Sequence, residues 1–112
     1  MLVEILETDR GVRLVAEVPR TRRERALGLL RRPSLERNAA LLLERTRSIH
    51  TVGMRFHLAV AFLDDGFRVL EVVRARPGLV FLPRRRARHV LEAHPSVDLR
   101  TGDRVVRRSP GS

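Results

Sequence analysis

Six residues, Leu58-Ala59-Val60-Ala61-Phe62-Leu63, constrain this chain more than any others. They are apolar without a break and stop at Asp64-Asp65-Gly66. Alternation along a strand puts Leu58, Val60 and Phe62 on one side and Ala59, Ala61 and Leu63 on the other. With no polar side, such a strand has to be covered on both faces, as the central strand of a closed or sandwiched sheet is. Asp65-Gly66 then supplies turn chemistry into Arg68-Val69-Leu70-Glu71-Val72-Val73, which predicts a β-hairpin.

The remaining strand candidates are short and closely spaced. Leu2–Glu7 and Val12–Val18 flank the turn Thr8-Asp9-Arg10-Gly11, and Pro19 ends the pair because it has no N–H for a ladder. Ala39–Leu43, Ser48–Val52, Leu79–Leu82 and Arg104–Val106 read as further strands, while His89–Ala93 reads as a strand or a helical turn. Thr21-Arg22-Arg23-Glu24 has the form of a capping box, and a helix carrying Ala26, Leu29 and Leu30 on one face follows it. The fold class expected is mainly β: a small antiparallel barrel or jelly-roll-like sandwich with one short helix near residues 22–31. Residues 1–106 are expected to form one domain, with a frayed tail at 107–112.

Composition removes several classes of chemistry. There is no cysteine among the 112 residues, which excludes disulfides, thiolate nucleophiles and Cys-ligated zinc. The N-terminus has no secretory pattern, and no apolar run reaches the roughly 18–20 residues that cross a bilayer, so a cytoplasmic location without membrane attachment is expected. No phosphate loop, dinucleotide glycine pattern or nucleophile elbow occurs. With no Tyr or Trp and four Phe, there is no aromatic platform for stacking bases.

All 23 basic residues are arginine, and against 13 acids they give a net charge of +10. The excess lies in two blocks: residues 19–50 carry +6 and 74–112 carry +7, while 1–18 and 51–73 carry −2 and −1. Clustered guanidinium groups attract phosphate oxygens, so Arg84, Arg85, Arg86 and Arg88 form a candidate polyanion-binding set. The absence of lysine favours a plainer origin, a coding bias toward Arg at surface positions.

A second candidate set surrounds the entry to the apolar strand. His50, Met54, Arg55 and Asp64 are the residues expected to line a ligand site, if one lies there. The plain alternatives are a loop histidine bonded to backbone, a thioether filling a core gap, an Arg55 salt bridge to Asp64 or Asp65, and turn aspartates. The histidines His50, His57, His89 and His94 match no metal-ligand spacing. No metal, cofactor or catalytic set is assigned, and partners beyond an anionic ligand or polyanion are not named by the sequence. The leading expectation is a non-enzymatic binding module. Sequence-blind polyanion binding and a small enzyme using His50 with Asp64 or Arg55 are the alternatives.

Several motifs in order resemble a known family. Arg25-x-x-Gly28-Leu29-Leu30, then Ser48-Ile49-His50-Thr51-x-Gly53-Met54-Arg55-Phe56, then Phe62-Leu63-Asp64-x-Gly66 are similar to the family called domain of unknown function 192. Ala87-Arg88-His89-Val90-Leu91-Glu92 and Gly102-Asp103 fit its C-terminal half. The resemblance implies a compact, mainly β, barrel-like or jelly-roll-like domain with a short helix, and no established activity. Members usually carry Pro-Leu-Asp or Pro-Ile-Asp after the Met-Arg element. Here that place reads His57-Leu58-Ala59, so the usual carboxylate is missing, a loss read as structural.

Overall fold

The computed structural model describes residues 2–21, 24 and 34–111. Among them nine strands form: β1 (Leu2–Thr8), β2 (Arg13–Val18), β3 (Ala39–Leu43), β4 (Ile49–His50), β5 (Leu58–Leu63), β6 (Val69–Ala75), β7 (Val80–Phe81), β8 (His89–Ala93) and β9 (Val105–Arg108). The chain is mainly β, as its short apolar runs require. Seven strands make one sheet in the order β6-β5-β8-β3-β2-β1-β9, and β4 and β7 make a separate two-stranded ribbon. Every pairing in the large sheet is antiparallel except β2 with β3. A parallel pair needs a crossover of a dozen or more residues, and residues 19–38 supply it. The helix expected near 22–31 lies outside the described residues. Its capping box is formed: Glu24 N–H donates to Thr21 Oγ1 at 3.0 Å, and Thr21 N–H donates to Glu24 Oε1 at 3.2 Å.

The sheet curls until its two outer strands meet at one end. Arg68 and Arg104 form a β-bridge, Val69 N–H donates to the Asp103 carbonyl at 2.7 Å, and Val105 N–H donates to the Phe67 carbonyl at 2.9 Å. Asp103 is buried at this seam and accepts from Arg10 Nε at 2.6 Å; that hydrogen bond holds its carboxyl below the usual range. The result is a barrel-like domain closed along only part of its height.

Two cores follow from the two faces of β5, as expected. Ala61 and Leu63 join Leu6, Leu14, Val18, Leu42, Val69 and Leu91 inside the curl. Leu58, Val60 and Phe62 face outward, yet they are fully buried under Met54, Leu35, Ala87 and the β4–β7 ribbon. The Phe81 ring lies 6.3 Å from that of Phe62, and the Arg84 guanidinium sits 4.7 Å from the Phe62 centroid. His89–Ala93 resolves as a strand buried on both faces, not a helical turn.

β9 runs through Arg108, two residues into the tail expected to fray. Arg107 explains this. It donates to Glu4 Oε1 at 2.6 Å and to Glu44 Oε2 at 2.8 Å, and lies over the Phe67 ring at 5.2 Å. Burial pushes the Glu44 carboxyl up, but the Arg107 hydrogen bond and the surrounding charges outweigh it and leave it below its ordinary range.

Glu92 puts a carboxyl among the apolar side chains of the outer core. It sits opposite Leu41 and Val60 on the outward face of β8, only 7% exposed, with no hydrogen bond from a described residue. Burial alone pushes its pKa up to about 7 from the ordinary 4.5. The folded protein therefore binds a proton more readily than the unfolded chain, so this contribution to stability is present below pH 4.5 and fades as pH rises through about 7. Glu92→Gln is expected to match the parent below that window and to exceed it by roughly 3 kcal/mol at pH 8. Urea denaturation at both pH values measures the difference, and equal stabilities at pH 8 contradict the placement.

Candidate functional site

Residues 48–55 fold as a lid on the outer core. Thr51, 1% exposed, holds it together: its Oγ1 donates to the Arg76 carbonyl at 2.7 Å and accepts from Leu79 N–H at 2.9 Å. Its backbone N–H donates to the Leu79 carbonyl at 2.8 Å, and its own carbonyl accepts from Gly78 N–H at 2.9 Å. Gly53 takes φ +86°, a conformation that favours glycine, and so reverses the chain to drive Met54 into the core. Thr51 was not singled out by sequence, although a hydroxyl beside a glycine inside an apolar stretch is a signal for such a clamp.

The first candidate set therefore does not converge. Met54 is buried as core packing. His50 is exposed on β4 opposite Val80, and Arg55 is exposed without an ion pair to Asp64 or Asp65. Asp64 stands at the other end of β5 from Arg55, a strand length of about 20 Å for six residues. Its Oδ1 accepts from both Gly66 N–H and Arg68 N–H at 2.9 Å, which makes it the organiser of the hairpin turn. Ala59 lies fully buried opposite Arg74 in the β5–β6 ladder, so a carboxylate at this place would sit beside a guanidinium. That register supports the structural reading of the missing Asp.

The second set separates into one anchor, Arg84, and three arginines with no ion pair to a described acid. Arg84 donates to Glu71 Oε2 at 2.9 Å and rests on the Phe62 and Phe81 rings. It holds the loop to the barrel. Ala87 N–H donates to the Arg84 carbonyl at 3.2 Å, closing a turn whose two apex residues are Arg85 and Arg86. Arg47 Nη2 braces that turn from outside, donating to the carbonyls of Arg84 and Arg85 at 3.4 and 3.2 Å. Arg88 N–H donates to the Leu63 carbonyl at 2.7 Å, and this bond sets the loop against the end of β5.

A cleft of about 640 Å³ opens there, lined by Asp64, Asp65, Gly66, Arg85, Arg86 and Arg88. Its size falls within the range of small-molecule sites. Among the described residues, none of the three arginines has a carboxylate within 4.0 Å, and the Asp65 side chain makes no hydrogen bond or ion pair. Beneath the Asp64–Gly66 rim, Phe67 adopts φ +62° and stacks on the His89 ring, centroids 4.3 Å apart and planes 11° from parallel. His89 Nδ1 accepts from Arg45 N–H at 3.1 Å, so the neutral ring carries its proton on Nε2. Burial holds the His89 pKa below its ordinary value, although Glu44 and the two rim aspartates oppose the shift. No group of three or more metal-ligating side chains occurs among the described residues. No helix among them is long and apolar enough to cross a membrane.

The chain belongs to the DUF192 family of uncharacterized ACR proteins, whose model matches residues 4–106. The UPF0127 protein PH1112 of Pyrococcus horikoshii is 36% identical over 72 residues, an alignment covering 62% of this chain and 63% of that relative. The aligned part is thus less than two thirds of the relative's length. A crystal structure of a protein of unknown function from Novosphingobium aromaticivorans matches with a TM-score of 0.76 and 23% identity, covering 93% of this chain and 83% of the other. A candidate transcription regulator from Sinorhizobium meliloti matches with a TM-score of 0.75 and 18% identity, covering 94% and 92%. At these identities the two structures share the fold with this chain, and the family carries no assigned activity.

If Thr51 is the clamp of the lid, Thr51→Val leaves the Arg76 carbonyl and the Leu79 N–H short of a partner. A loss of about 1–3 kcal/mol is expected in denaturant unfolding, with the β1–β2 hairpin unchanged in NMR shifts. A loss below 0.5 kcal/mol contradicts the assignment.

Proposed function

We propose that this protein is a non-enzymatic binding module whose ligand carries an anionic group, phosphate or carboxylate, and docks in the Asp64–Gly66/Arg85–Arg88 cleft. One observation carries the proposal: Arg85, Arg86 and Arg88 face a single cavity, and no carboxylate of a described residue pairs with any of them. Arg10, Arg13, Arg20, Arg84, Arg100 and Arg107 are each matched to an acid; other described arginines are not, but Arg85, Arg86 and Arg88 converge on one cavity. Guanidinium groups left unmatched in a concavity are suited to take the oxygens of an incoming anion. The turn bonds of Ala87 and Arg88 fix the backbone that carries them before any ligand arrives, which lowers the ordering cost of binding.

Wider polyanion binding remains the second reading, favoured by the +10 net charge. It needs a continuous basic track, whereas two aspartates interrupt this cleft and Arg84 is spent on Glu71. Titration of the labelled protein with inorganic phosphate at low salt separates the two. Amide shifts confined to 64–67 and 85–88, abolished in Arg86→Ala/Arg88→Ala and weakened by added salt, are the expected result. Absence of phosphate shifts, with an RNA oligomer binding through arginines elsewhere, replaces the cleft with the polyanion reading.

A further inference from the structure

We infer that the cleft takes a zwitterion: a small free molecule bearing a phosphate or carboxylate at one end and an amine a few bonds away. The inference rests on the anion site proposed above and adds the second pole. Asp65 supplies that pole. It is exposed at the apex of the β5–β6 turn, makes no hydrogen bond or ion pair with a described residue, and lines the same cavity as three arginines that have no acidic partner among those residues.

In a chain with 23 arginines and 13 acids, a carboxylate facing three guanidinium groups would be expected to pair with one of them. It does not, because both rims are built to stay apart. On one side Asp64 accepts the Gly66 and Arg68 N–H groups and fixes the turn that carries Asp65. On the other, the 84–87 turn is braced by Arg47 and anchored through Arg84 on Glu71 and Phe62. Arg88 Nη1 is drawn back onto the Ala87 carbonyl at 2.9 Å. The bond from Arg88 N–H to the Leu63 carbonyl and the pairing of Leu63 with His89 tie the two rims together at their base. Opposite charges held across an open gap favour a ligand that brings both complements. A purely anionic ligand meets two aspartates, and a purely cationic one meets three arginines.

The test compares O-phosphoethanolamine, ethyl phosphate and inorganic phosphate by NMR titration of the parent protein and Asp65→Asn. The parent is expected to bind the amine-bearing probe about fivefold more tightly than ethyl phosphate, the scale of one partly exposed ion pair. In Asp65→Asn that preference disappears while inorganic phosphate binds at least as well. Position 65 is exposed, and an unchanged amide spectrum outside the turn confirms folding. If phosphate binds but the amine adds nothing, or the preference survives in Asp65→Asn, the zwitterion inference is overturned and the anion site stands. If no probe binds, both fall. Vesicles of phosphatidylethanolamine form the last arm: no co-sedimentation is expected, and Asp65-dependent capture overturns the free-molecule assignment in favour of a lipid headgroup.

Discussion

Burial of β5 on both faces is the constraint from which the rest of the structure follows. Six consecutive side chains, none of them polar, are all fully buried. Fully burying each large apolar side chain is worth about 1.5–3 kcal/mol, but only if something covers it. The inner face is covered by curling the sheet until β6 meets β9 at the Arg68–Arg104 bridge. The outer face is covered by chain without extensive secondary structure of its own, the segments around Met54, Phe81 and Ala87. Such a cover has to satisfy its backbone internally, and Thr51 does much of that. The cleft is a by-product: where the β5 turn and the covering loop both end, their charged residues face one another.

The fold was legible to the extent that apolar alternation encodes it. Both faces of Leu58–Leu63 and the β1–β2 hairpin could be read directly, because side-chain period fixes facing whatever the partner strand is. The details of the hairpin were less accessible. Asp65-Gly66 marks the turn, yet the positive φ falls on Phe67, since its ring finds a stacking partner in His89 from a distant strand. Likewise the extension of β9 through Arg108 depends on Glu4 and Glu44, whose proximity to Arg107 follows from the pairing of β1 with β9 and not from local sequence.

The candidate site was less legible still. His50, Met54, Arg55 and Asp64 are close in a recognisable motif, but strand geometry carries Asp64 to the far end of β5 and the glycine turn buries Met54. The motif that marks the family is thus, in its Ser48–Met54 part, a device for closing the outer core. Arg84–Arg88 was visible as a charge run; which member is matched to an acid was not, because that depends on Glu71 across the β5–β6 pair. Joining Asp65 to the arginines requires the β5–β8 register, Leu63 opposite His89, which no local pattern predicts.

Amide hydrogen exchange on the unliganded protein tests most directly whether the double-sided burial of β5 holds the cleft rims in place. The β5 and β8 amides are expected to be the slowest to exchange, with Phe67, Ala87 and Arg88 also protected by their bonds to Asp64, Arg84 and Leu63. Exchange of Phe67, Ala87 and Arg88 at unstructured-chain rates would contradict the account: the rims would then be mobile, and the separation of Asp65 from the arginines would not be a property of the fold.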